Sequence, residues 1–205
     1  MNTTFEFWYD FSSPFTYLAA TQVEKVAART GATLVWRPML LGAVFKELGV
    51  TDVPITKMSP ARQRYHSKDL YDWAGYWEVP FRFTPYFPLR TVTALRLALV
   101  AEDKHVPLAH ALFKAAWVDG QDLGKPDVLA SIVSAQGLDA ERLLARTQDE
   151  AVKTQLKDNT SAALAAGVFG APSFVVKQAQ GDLLFWGQDR LMLVERALQS
   201  RPSNA

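Results

Sequence analysis

Thr4-Phe5-Glu6-Phe7-Trp8-Tyr9-Asp10, followed at once by Phe11-Ser12-Ser13-Pro14, is the stretch that decides the fold. Residues 4–10 are few, aromatic-rich and bounded by polar turn residues, which is the signature of a strand. A serine followed by a proline starts a helix, with the serine at the cap and the proline in the first turn. Beyond it Phe15, Leu18, Ala19, Val23, Val26 and Ala27 recur at spacings of three and four and mark one helical face. Gly31 closes that helix, and residues 32–37 (ATLVWR) read as a second strand. A helical connection of this length makes the two strands parallel, a β-α-β unit.

Outward from this unit the pattern changes twice. After Pro38 there are only helical periodicities and turn signals, and helices are predicted over 42–48, 60–77, 91–103, 107–118, 126–136 and 139–146. Pro80, Pro85 and Pro88 interrupt the middle of this block, with Phe81, Phe83, Tyr86 and Phe87 between them. Such a cluster either lines a pocket for a flat molecule or plugs a loop onto the core. A helix over 149–166, ending at Gly167, then leads to strands at 173–177 and 183–186 joined by a turn at Gln180-Gly181-Asp182. Gly187-Gln188-Asp189-Arg190 opens a last helix with Leu191, Leu193, Val194, Ala197 and Leu198 on its apolar face, and a disordered tail over 201–205 is expected. With the middle block removed, the order β-α-β-α-β-β-α is the thioredoxin arrangement. The predicted class is therefore α/β, with an all-helical domain (41–148) inserted between the halves of a discontinuous thioredoxin-like domain (1–40 and 149–200).

Composition narrows the chemistry. Twenty-two Lys and Arg balance 21 Asp and Glu with no run of one sign, so nothing suggests a nucleic-acid partner. The chain of 205 residues contains no cysteine, which excludes disulfides, thiolate-bound metals and a protein thiol nucleophile. His66, His105 and His110 have no metal-ligand spacing, and no metal site is expected. The N-terminus lacks the basic-then-apolar pattern of a signal peptide. No stretch reaches the roughly 18 apolar residues of a membrane span, so a soluble cytoplasmic protein is expected.

Four places carry candidate chemistry. Ser13 stands where strand gives way to helix, and the helix amino end favours an anion there. No His or Asp has a spacing that would make it a nucleophile, so it is either a plain cap or a hydrogen-bond donor to a thiolate brought by a small molecule. Pro172, in Gly170-Ala171-Pro172-Ser173, precedes a strand. A cis bond there would turn the Ala171 backbone toward a peptide-like ligand, whereas a trans bond would be ordinary. Asp189 and Arg190 suit an ammonium and a carboxylate, or else form an acidic helix start. Lys46 either meets an anionic substrate or is a solvated surface lysine.

Taken together, these segments resemble a known family. Phe7-Trp8-Tyr9-Asp10-Phe11-Ser12-Ser13-Pro14-Phe15-Thr16-Tyr17-Leu18 is similar to the opening of 2-hydroxychromene-2-carboxylate isomerases and kappa-class glutathione transferases, in the DsbA-like branch of the thioredoxin superfamily. So are Trp36-Arg37-Pro38-Met39-Leu40-Leu41-Gly42 with Phe45-Lys46, Phe169-Gly170-Ala171-Pro172-Ser173-Phe174, and Trp186-Gly187-Gln188-Asp189-Arg190-Leu191. The resemblance implies glutathione as cofactor, Ser13 activating its thiol, and Ala171, beside Pro172, pairing with its cysteinyl part. It implies Trp186, Gly187, Gln188, Asp189 and Arg190 around the γ-glutamyl end. Lys46 would lie near the carboxylate of an aromatic substrate and Phe87 near its ring. The implied activity is glutathione-dependent isomerisation. The alternatives are conjugation of electrophiles or a non-catalytic peptide-binding module. A homodimer is also implied. Val50 after Gly49, Leu89-Arg90 after Pro88 and Gln188 depart from the family pattern.

Overall fold

The computed structural model describes residues 3–51 and 53–199. Its first unit is β1 (Thr4–Tyr9), α1 (Pro14–Thr30) and β2 (Thr33–Pro38). There follow α2 (Leu41–Glu47), a short 3-10 turn at Pro54–Lys57, α3 (Pro60–Tyr76), α4 (Val92–Val100), α5 (His105–Trp117), α6 (Pro126–Ala135), α7 (Ala140–Arg146) and α8 (Glu150–Ala165). β3 (Ser173–Val176), β4 (Leu183–Trp186), a 3-10 turn at Gln188–Arg190 and α9 (Leu191–Gln199) complete the fold. The predicted tail lies outside the described residues.

The sheet order is β2-β1-β3-β4, with β1 parallel to β2 and antiparallel to β3, and β3 antiparallel to β4. This is a thioredoxin-like mixed sheet with the helical insert between β2 and β3. Both faces are covered, so β1 does not alternate apolar with polar. Phe5, Phe7 and Tyr9 are fully buried in the large core, with Phe174 and Val176 of β3. Phe7 stacks on Phe174 at 5.5 Å and meets the edge of Trp36 at 4.9 Å. On the opposite face Trp8 and Val175 pack with Met39, Val44 and Ala163. Glu6, also on that face, is buried and is neutralised by Arg37 at 3.1 Å and Lys177 at 3.3 Å, as a buried carboxylate requires.

One predicted element divides. The helix read over 91–103 stops at Val100; Glu102 takes a left-handed backbone (φ 53°), and a 3-10 turn at Glu102–Lys104 leads into α5 at His105. No glycine or proline stands between Val100 and His105, and the nearest local signal is Pro107 in the first turn of α5, so the sequence places the break a few residues late.

Candidate active site

α1 begins as its sequence dictates. Ser13 is the N-cap with extended backbone, its Oγ accepts from the Thr16 amide at 3.2 Å, and Pro14 occupies the first turn. The loop that delivers Ser13 is tied to the molecule at every residue. Buried Asp10 accepts from the amides of Ser12 (2.9 Å) and Leu41 (2.8 Å). Burial pushes its carboxyl above the usual range, opposed by those two amides and the Thr91 hydroxyl. The Phe11 carbonyl accepts from the Trp117 indole at 2.8 Å, and Ser12 Oγ accepts from the Leu89 amide at 3.2 Å. Ser13 Oγ donates to the Ala171 carbonyl at 2.9 Å, and Ser13 itself is buried. Four consecutive residues thus reach α2, α5, the loop before α4 and the loop before β3.

The Ala171-Pro172 bond is cis, as is Phe87-Pro88. The Pro172 carbonyl accepts from the Gly187 amide at 3.0 Å, which joins the loop before β3 to the end of β4. Gly187 has φ 108°, and a Cβ there would stand 2.5 Å from Asp189 Oδ1, so only glycine allows the turn that folds Asp189 back. A Cβ at Gly170 would lie 2.5 Å from the Trp186 indole nitrogen, so that ring rests on bare backbone. Phe169 packs on the same indole at 5.0 Å.

These loops enclose an open cleft. Ala171 and Pro172 form one part of its wall, and Trp186, Gly187, Gln188, Asp189 and Arg190 another. Phe15 of α1 and His66 and Asp69 of α3 close the remaining side. Ser13 meets this wall through its bond to Ala171. Gln188 is buried, while Asp189 and Arg190 face one another at 3.5 Å. Asp69 lies in the field of this group. Burial raises its carboxyl most, the His66 imidazole opposes that, and the Asp189 and Asp72 carboxylates add to it.

The sequence-predicted residues therefore divide. Ser13, Ala171, Pro172, Trp186, Gly187, Gln188, Asp189 and Arg190 come together around the cleft, although they are drawn from both ends of the chain. Lys46 and Phe87 do not line it. Lys46 stands exposed on the last turn of α2, whose start is held by Asp10. Phe87 is half-buried against Phe83 (5.3 Å) and Trp117 (6.4 Å), two residues before the Leu89 amide that holds Ser12. His66, Asp69 and Asp10 were not read from the sequence as site residues. The first two stand three apart on one helical face, a usable cue, but nothing local says that this face meets α1. Among the described residues no cluster of side chains could hold a metal ion, and no helix is long and apolar enough to cross a membrane.

A family model for the DSBA-like thioredoxin domain matches residues 4–199. The chain belongs to that family. It is 29% identical to a 2-hydroxychromene-2-carboxylate isomerase of Sphingobium xenophagum, over 97% of this chain and 99% of the relative. It is 28% identical to glutathione S-transferase kappa 1 of Caenorhabditis elegans, over 95% of this chain and 90% of the relative. A solved structure of a 2-hydroxychromene-2-carboxylate isomerase superposes with a TM-score of 0.83 at 25% identity, covering 95% of this chain and 94% of that one. This DSBA-like chain thus has enzymes among its relatives, both isomerases and transferases by name.

Proposed function

We propose that this protein is a cytoplasmic glutathione-dependent isomerase acting on aromatic carboxylates of the 2-hydroxychromene-2-carboxylate type. The observation that carries the reading is the Ser13 hydroxyl at the amino end of a 17-residue helix, 2.9 Å from the carbonyl beside a cis-proline, in a chain with no thiol of its own. The donor set fits the tripeptide. Asp189 and Asp69 suit its ammonium, Arg190 its γ-glutamyl carboxylate, and the Ala171 backbone its peptide groups.

When bound, glutathione supplies the sulfur nucleophile that adds to and later leaves an unsaturated carbon, with no net change in oxidation state. The protein's part is orientation and electrostatics. Rotation of the Ser13 hydroxyl away from Ala171 aims its proton at a sulfur anion, and the helix amino end favours the same charge. The carbonyl so released can accept an N–H of the ligand, so one internal hydrogen bond is exchanged for two. Lys46 and Phe87 belong to this proposal as contacts for the substrate carboxylate and ring, and a homodimer as its assembly state.

Calorimetry with glutathione is the first test, and absence of binding would leave only a peptide-binding reading. Product analysis then separates the reactions. A rearranged chromene carboxylate without bound sulfur supports isomerisation, whereas a stable conjugate with an electrophile identifies a kappa-like transferase.

A further inference from the structure

Thr16 sits in the first turn of α1 and is fully buried. Among the described residues its hydroxyl is the one buried hydroxyl without a hydrogen-bond partner. Other helical threonines give theirs to a carbonyl one turn back: Thr21 to Leu18 (2.7 Å), Thr30 to Val26 (2.8 Å) and Thr160 to Leu156 (2.8 Å). Thr16 does not, and the Ser13 carbonyl one turn behind it already accepts from the amides of Thr16 (3.1 Å) and Tyr17 (3.2 Å). A buried hydroxyl left unpaired costs stability, so its place beside the cap calls for a use. We infer that Thr16 is a positioning residue for Ser13: its hydroxyl donates to Ser13 Oγ when Ser13 turns its own proton from Ala171 to the sulfur of glutathione. The inference rests on the glutathione reading and adds a second hydroxyl to it.

The two hydroxyls are held close by the chain itself. The Thr16 amide donates to Ser13 Oγ at 3.2 Å, and only Cα and Cβ separate that nitrogen from the Thr16 hydroxyl. The Cα–Cβ bonds of a helix tilt toward its amino end, which carries the Thr16 side chain back over the turn that holds Ser13. A serine oxygen has one proton to give and two lone pairs. Here the proton goes to the Ala171 carbonyl at 2.9 Å and one lone pair takes the Thr16 amide. The second lone pair is the acceptor that the Thr16 hydroxyl lacks. Each bond in such a chain polarises the next, so a Ser13 hydroxyl that accepts from Thr16 donates more strongly to a sulfur anion. Thr16 does this without touching the ligand.

Two variants of the intact protein test it. Thr16→Val keeps the shape of the side chain and removes the hydroxyl, whereas Thr16→Ser keeps the hydroxyl. The pKa of the bound glutathione thiol is read from thiolate absorbance against pH, beside turnover and the thermal midpoint. Thr16→Val is expected to raise the bound thiol pKa by about half a unit and to lower turnover near neutral pH about three-fold. Its affinity for S-methylglutathione, which has no thiol, should be unchanged. Its thermal midpoint should equal or exceed that of wild type, because an unpaired buried group is gone. Thr16→Ser should keep the wild-type thiol pKa. The charged groups around the site, Asp10 before the cap and Asp69, Asp189 and Arg190 on the cleft, are the same in both variants. A wild-type thiol pKa in Thr16→Val overturns the inference. So does a Thr16→Ser protein whose thiol pKa moves as far as that of Thr16→Val, which would make packing and not the hydroxyl responsible. A wild type that binds neither glutathione nor S-methylglutathione overturns the parent reading, and this inference with it.

Discussion

Ser13 carries three loads that ordinarily fall on different residues. It caps α1, it ties α1 to the loop before β3, and in the proposed reaction it steadies a sulfur anion. Ser13→Ala removes the cap, worth about 1 kcal/mol, together with the bond to Ala171. The fold is expected to survive, since Pro14 and the Asp10 bonds to Ser12 and Leu41 still shape the loop. Turnover is expected to fall ten-fold or more, and the pKa of bound glutathione to rise toward its free value. Steady-state kinetics and the thiolate absorbance of the bound cofactor measure both. An unchanged rate together with an unchanged thiol pKa would return Ser13 to the role of a plain cap. The sequence shows this residue because cap and proline are neighbours in the chain. It cannot show Asp10 as a hub, because the partners of its carboxylate, Leu41 and Thr91, arrive from 31 and 81 residues away.

Secondary-structure elements were legible wherever their ends carry local chemistry. Ser13-Pro14 and Ser59-Pro60 mark helix starts by cap and proline, and the hairpin of β3 and β4 turns at Gly181. The junction of α4 and α5 was legible only to within a few residues, read between 103 and 107 and found between Val100 and His105, and the physics that sets its place is tertiary. α5 starts early because His105 reaches β1, where its Nε2 meets the Tyr9 hydroxyl at 2.8 Å. Burial holds that phenol well above its ordinary pKa, so it donates, and burial pushes His105 down to about 4. The folded protein therefore resists protonating His105, while the unfolded chain takes a proton near pH 6.5. Stability is complete above that value and declines as pH falls toward 4, by on the order of 2–3 kcal/mol from this group. His105→Gln keeps an acceptor for Tyr9 and removes the titration. Urea midpoints between pH 7.5 and 4 should fall less steeply for the variant, and parallel profiles would refute the assignment.

At the scale of the whole molecule, the site exists only because two distant halves of a sheet meet and an insert braces the loop between them. The order of strands and helices announced that architecture, but the way the insert is bound to the sheet needed coordinates. One continuous core runs from Phe5, Phe7 and Phe11 through α1 into α4, α5 and α6, and reaches α9. Trp117, at the end of α5, is fully buried at its centre, donates to the Phe11 carbonyl and contacts the rings of Phe81 (6.2 Å), Phe83 (5.7 Å) and Phe87. A core shared in this way predicts one cooperative transition for the sheet and the helices together, with no stage at which the insert stands alone. Trp117→Phe should cost about 1–2 kcal/mol, chiefly by leaving the buried Phe11 carbonyl unpaired. Trp117→Ala should cost about 3–5 kcal/mol through the cavity it opens. Denaturant curves followed by far-ultraviolet circular dichroism and by tryptophan fluorescence should coincide in wild type and shift together in both variants. If the two probes separate, the insert folds as a unit of its own, and the bracing of the Ser13 loop by α5 is a docking contact between two bodies instead of a shared core.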